Sequence, residues 1–210
     1  MSERSLREQR RERRRELGRD QILEVAEEVF ARKGFHEASL REIAELAEYS
    51  VGAVYGFFSG KDELYREIFL RRAVVFMSGM KEVVSSPRPP HRQLLELAEW
   101  QVEFFRRHPE YGRLVLRSGA IASALTGAPS DAEILANFRR AQEMQADLFR
   151  RGQREGLLKD GDPHLLARMF SGLVSAFQAS ELTREEPQTG PLPLSTLLET
   201  VEAAFVTAEP

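Results

Sequence analysis

Residues 39–64 read SLREIAELAEYSVGAVYGFFSGKDEL. Three short helical phrases share this stretch, and each opens on a serine: Ser39, Ser50 and Ser59. Ser39 and Glu42 have the spacing of a capping box. The hydroxyl accepts from the Glu42 amide, and the Glu42 side chain is expected to reach back. This second helix runs to about Ala47. Ser50 caps a third, expected to reach about Phe58. Ser59 with Asp62 is expected to cap a fourth, ending near Val84. The middle phrase is the odd one. Val51, Gly52, Ala53 and Gly56 are small and uncharged, which is unusual for a solvent-facing surface, yet they stand beside Tyr55, Phe57 and Phe58.

The pattern on either side is helical. Upstream, Ile22, Val25, Ala26, Val29 and Phe30 recur as the stripe of an amphipathic first helix. Gly34 is placed to end it, with Phe35 covering the last turn. Residues 1–18 read as an arginine-rich arm that can extend this helix. Downstream, Pro87, Pro89 and Pro90 mark a break. Further helices follow from about His91 to Arg107 and from Pro109. The Ser130–Glu133 spacing suggests another capping box, opening a helix to about Glu155. Asp162-Pro163 opens the eighth, to about Leu182, and the ninth begins near Pro193. Residues 119–130 read as a loop or broken helix, and 183–193 as a polar turn. No segment alternates with period two over any length, so the fold class is all-α.

Composition removes several kinds of chemistry. The chain has no cysteine, and its four histidines are scattered without ligand spacing, so no metal and no cofactor is expected. No catalytic motif is present, and the reading is not an enzyme. No long apolar run is present to span a membrane, and the arginine-rich start is not a secretory signal, so a cytoplasmic location is expected. The formal net charge is −3. Its distribution is uneven: residues 1–20 hold eight arginines against five acidic groups, whereas residues 21–72 hold seven basic and ten acidic. Any grip on DNA must then come from a few placed residues and from two copies rather than from a strongly basic domain.

Two short helices separated by a few residues have the layout of a helix-turn-helix, whose second helix enters the major groove. Ile43, Ala44, Ala47, Val54 and Phe58 can fill the core between them. Small residues at 51–53 and 56 would let the backbone approach the groove walls. A methyl can touch thymine, and the Tyr55 hydroxyl can reach a phosphate. The amino ends of helices two and four would add amide hydrogens facing phosphates.

Residues of about 19–68 resemble the DNA-binding domain of the TetR family of bacterial transcriptional regulators. The resemblance is carried by ILEVAEEVFARKGF, by SLREIAELA, by the S-x-G-A-V-Y core of helix three and by FFSGKDEL. It implies an all-α homodimer on palindromic operator DNA, with a ligand cavity in a larger second domain and release of DNA on ligand binding. The domains would be the arm 1–18, a three-helix head 19–66 and a ligand-binding and dimerisation domain 67–210. By position, the implied DNA contacts are Ser39, Arg41, Ser50, Val51, Gly52, Ala53, Tyr55 and Lys61. Two positions depart from the family pattern. Glu48 stands where the turn usually has glycine, and Val51 where lysine is common.

Alternatives stay open on the sequence alone. Tyr55 reads as a phosphate contact or as packing inside the head. The arm reads as a DNA clamp, through Arg10, Arg11, Arg13, Arg14 and Arg15, or as a solvated helix end. In the second half Trp100, Phe104, Tyr111, Phe149 and Met169 read as pocket lining or as core. Arg117, in an apolar segment, reads as the partner of an anionic ligand or of a buried carboxylate. Helices eight and nine carry broad apolar faces, read as a four-helix homodimer interface or as an internal core. The functional expectation is a repressor released by a small molecule. The competing reading is a helical ligand-binding or adaptor protein whose DNA-reading head has decayed, with Glu48 and Val51 as its support.

Overall fold

The computed structural model describes residues 3–118, 131–183 and 190–207. All named elements among them are helices. They are α1 (Glu3–Glu37), α2 (Leu40–Leu46), α3 (Val51–Tyr55), α4 (Lys61–Val84), α5 (Pro90–Arg107), α6 (Pro109–Ser118), α7 (Ala132–Arg154), α8 (Pro163–Leu182) and α9 (Leu194–Phe205). The chain forms two compact units, Met1–Arg71 and Arg72–Pro210. Among the described residues no helix is long and apolar enough to cross a membrane.

In the first unit the arm is helical from Glu3 and continuous with α1. Strong helix formers fill it, and Glu8, Glu12 and Glu16 each precede an arginine by three residues. Gly34 interrupts α1 at φ 82, ψ 171, a backbone region open to glycine. Phe35 then folds over the end, 5.9 Å from the Phe30 ring and 5.1 Å from Tyr65. Ile22, Leu23, Ala26, Val29 and Phe30 are buried from α1, while Val25 is only half-buried. The five core residues expected between α2 and α3 are all buried.

Capping follows the serines with three corrections. The Ser39 hydroxyl accepts from the Glu42 amide at 3.1 Å. The Glu42 carboxylate does not reach back. It binds Arg32 at 3.0 Å and Lys33 at 2.9 Å, because two cations at the end of α1 outbid one amide. At α4 the Ser59–Asp62 cap does not form; the Glu63 carboxylate accepts from the Ser59 amide instead. At α7 the cap is Asp131, which accepts from the Glu133 and Ile134 amides. Ser130 lies outside the described residues. Helix α3 also stops at Tyr55 rather than Phe58, with Gly56 as its C-cap. Phe57 and Phe58 then close a turn on the Val54 carbonyl.

The second unit is built on α5, α7, α8 and α9. Its core holds Leu94, Leu97, Leu148, Phe149, Phe170, Val174, Val201 and Phe205. Asp162 caps α8 as expected, accepting from the Leu165 amide at 2.7 Å. An isolated antiparallel bridge, Leu158 with Val206, ties the turn after α7 to the end of α9. Arg106 binds Glu181, Glu103 and the Leu192 carbonyl, fastening α5 to α8 and to the segment entering α9.

Candidate nucleic-acid interface

The first unit presents one surface unlike the rest. Val54 points inward from α3 and is buried, while Val51, Gly52, Tyr55 and Gly56 are exposed and Ala53 is half-buried. Tyr55 is 56 % exposed, so it is not packed inside the head. A Cβ added to Gly52 would meet only Ser50 Oγ, at 4.0 Å. Nothing among the described residues requires that position to be small.

The polar residues around this face are partly committed. Ser39 and Ser50 are exposed, and each hydroxyl oxygen accepts from its own helix amide at 3.1 Å. Each O–H is left to donate outward. Arg41 is exposed. Lys61 donates to the carbonyls of Ala38 at 3.0 Å and His36 at 3.3 Å, and lies 4.5 Å from the centre of the Phe35 ring. Two of its three donors therefore bind the segment between α1 and α2, and one remains for an anion. The hydrogen bond from Lys33, with Arg32 beside it, holds the Glu42 carboxyl below its usual range. Arg10, Arg11, Arg13, Arg14 and Arg15 are exposed along the arm.

The second-unit candidates divide. Trp100 stacks on Phe104 at 5.5 Å, and Phe104 meets Tyr111 at 6.2 Å, with Phe76 5.2 Å from both Trp100 and Phe104. His108 lies 4.8 Å from Phe104, and burial, with Arg72 and Arg107 nearby, pushes its pKa down toward the neutral ring. Phe149 packs elsewhere, against Phe205 at 5.4 Å. Arg117 is exposed. The α6 stripe of Tyr111, Leu114 and Val115 turns inward, which sends Arg113 and Arg117 to the other side. Met169 is 52 % exposed, because Ala167, Phe170 and Val174 take the inner face of α8.

Residues 22–68 match the family described as bacterial regulatory proteins, tetR family. The chain carries a TetR-family domain. The HTH-type transcriptional activator FasR of Mycolicibacterium smegmatis is 30 % identical over 104 residues, covering 50 % of this chain and 48 % of that protein. This chain thus spans about half of that curated relative's length. The structure of the ketosteroid transcriptional regulator KstR2 of Mycobacterium tuberculosis superposes with a TM-score of 0.73 at 22 % identity, over 91 % of this chain and 95 % of that one. AibR in complex with isovaleryl coenzyme A and operator DNA gives 0.72 at 19 %, over 90 % and 98 %. At these identities the structural likeness establishes the fold.

Outside the matched segment, the second unit buries residues that its apolar periodicity does not announce. Gln93, Gln101, Gln145 and Gln178 are buried in the second unit. Gln101 is 5 % exposed, and its Nε2 has no hydrogen-bond partner among the described residues, although Gln178 donates to its backbone carbonyl at 3.4 Å. The signal was available: Gln101 occupies an inward position of the α5 stripe, four residues after Leu97 and three before Phe104. The Arg106–Glu181 pair, by contrast, joins residues 75 apart and left no local trace.

Proposed function

We propose that the chain is a DNA-binding transcriptional regulator that acts as a homodimer in the cytoplasm and responds to a small molecule. The observation carrying this reading is the exposed, small-residue face of α3 over a filled core. Val51, Gly52, Ala53 and Tyr55 would meet base edges and the groove wall. Ser39, Arg41, Ser50 and Lys61 would hold phosphates. One such head per subunit would occupy one half-site of a palindromic operator.

The unit Arg72–Pro210 would supply the dimer and the effector site. Leu165, Met169, Gly172 and Ala176 are exposed along one stripe of α8 at spacings of four, three and four. On α9, Leu194 and Leu198 are only half-buried. Paired with the same helices of a second copy, these faces would close a four-helix interface. Trp100, Phe104 and Tyr111 would meet the effector. AibR, solved with both an acyl thioester and operator DNA, offers the precedent. The proposed regulator is a repressor, whose effector binds the DNA-free arrangement better and so lowers operator occupancy. The shift is limited to that difference in affinity.

The test is a gel-shift titration on duplexes that the full-length protein selects from random DNA. Tyr55→Ala is expected to weaken binding at least about tenfold while dimer mass and melting temperature stay put, since one good contact per head is worth roughly 1–3 kcal/mol. Unchanged affinity would remove Tyr55 from the interface. Failure to select any sequence would favour the adaptor reading.

A further inference from the structure

The turn between α2 and α3 contains a residue in an unfavourable conformation. Ala47 is the C-cap of α2, and the next residue, Glu48, has φ 61. The Tyr49 amide donates to Ala44 O at 2.8 Å and the Glu48 amide to Glu45 O at 3.2 Å. This is the paired closure of a Schellman turn, whose left-handed residue is ordinarily glycine because a Cβ crowds the backbone there. Glu48 is the one non-glycine residue at positive φ among those described.

The turn is packed on both sides. Ala47 is fully buried on one side of Glu48. On the other, Tyr49 packs edge-on against Phe57 at 6.1 Å, and Gly18 of α1 admits both rings. Glu48 itself is exposed, and no hydrogen bond or ion pair to its carboxylate is found among the described residues. A fixed negative charge therefore stands two residues before the Ser50 cap of α3, at the edge of the face assigned to DNA. Arg41 and Lys61 bring positive charge to that face, and the exposed arginines of the arm add a sequence-independent attraction for any duplex.

We infer that Glu48 is an affinity-limiting residue: its carboxylate opposes phosphates and holds down the general DNA affinity that Arg41, Lys61 and the arm would otherwise confer. This rests on the DNA-binding reading above. Phosphate contacts act on all sequences alike. A charge opposing phosphates should do the same, leaving sequence choice to the α3 face.

Full-length wild type, Glu48→Gln and Glu48→Gly are compared on a selected duplex and on a scrambled one, at about 50 and about 200 mM salt. Glu48→Gln keeps the backbone strain and removes the charge. It is expected to tighten binding to both duplexes by a similar factor, roughly threefold per head and about tenfold for a dimer at low salt, shrinking at high salt. Glu48→Gly should do the same and also melt at a higher temperature. Equal affinities for all three proteins would overturn the assignment while leaving DNA binding intact. Loss of affinity on the selected duplex alone would also overturn it, showing a carboxylate that accepts from a base. Binding of no duplex by any of the three would overturn the DNA-binding reading itself.

Discussion

Gly52 in the first unit and Gly79 in the second both omit a side chain, for opposite reasons. A Cβ on Gly79 would overlap the ring of Trp100, so α4 and α5 can pack there only if residue 79 is bare. Gly112 on α6 is crowded less severely, since a Cβ there would stand 2.8 Å from the tip of the Leu182 side chain. These small residues face inward and answer to the protein's own packing. Gly52 faces outward, with its nearest potential neighbour 4.0 Å away on its own N-cap. Its smallness is unexplained by the fold and fits the proposed partner that comes close. The same contrast holds for exposed apolar side chains. Those of α3 are confined to a single short helix, as a groove would require. On α8, exposed Leu165 and Met169 continue into exposed Gly172 and Ala176, a stripe along three turns, as a partner helix would require.

The largest effect tests the second half of that contrast. Leu165→Glu with Met169→Glu places like charges on the α8 stripe at positions 48 % and 52 % exposed, so the subunit should fold normally. The dimer should dissociate to monomer in sedimentation, and operator affinity should drop by about a hundredfold or more through loss of the second head. A dimer of unchanged mass would place the interface elsewhere. A smaller effect tests the inward glycines. Gly79→Val should cost roughly 1–3 kcal/mol by overpacking. It should also shift the emission of Trp100, the chain's single tryptophan. A stable variant with native emission would show that the contact with Trp100 yields.

How far the sequence could be read follows the same division. In the head, local chemistry was decisive. Ser39 and Ser50 cap as their spacing indicates, Gly34 breaks α1, and Ile43, Ala44, Ala47, Val54 and Phe58 form the core. The errors there came from competition: Glu42 had two cations within reach as well as the Ser39 amide, and Glu63 took the role given to Asp62. Lys61 was legible as a cation near the site, but its bonds to His36 and Ala38 depend on residues more than twenty positions away. In the larger unit the helices were legible from periodicity and from Pro and Asp starts, but the grouping of the candidate effector residues was not. Aromatic type alone cannot tell Phe104, which gathers with Trp100 and Tyr111, from Phe149, which packs on Phe205. Which side of a helix meets another subunit is likewise absent from the periodicity of one chain: Phe170 and Met169 are adjacent and equally apolar, and one is buried while the other is exposed.

The central claim is that the outer face of α3 is small because DNA comes against it. Gly52→Leu tests it most directly, with melting temperature and affinity for the selected duplex measured on the same sample. Removing a helical glycine where nothing is crowded should leave stability unchanged or raise it by roughly 0.5–1 kcal/mol, while binding to the duplex falls by about a hundredfold. A variant that binds as tightly as wild type, or one that loses stability and binding together, would contradict the account.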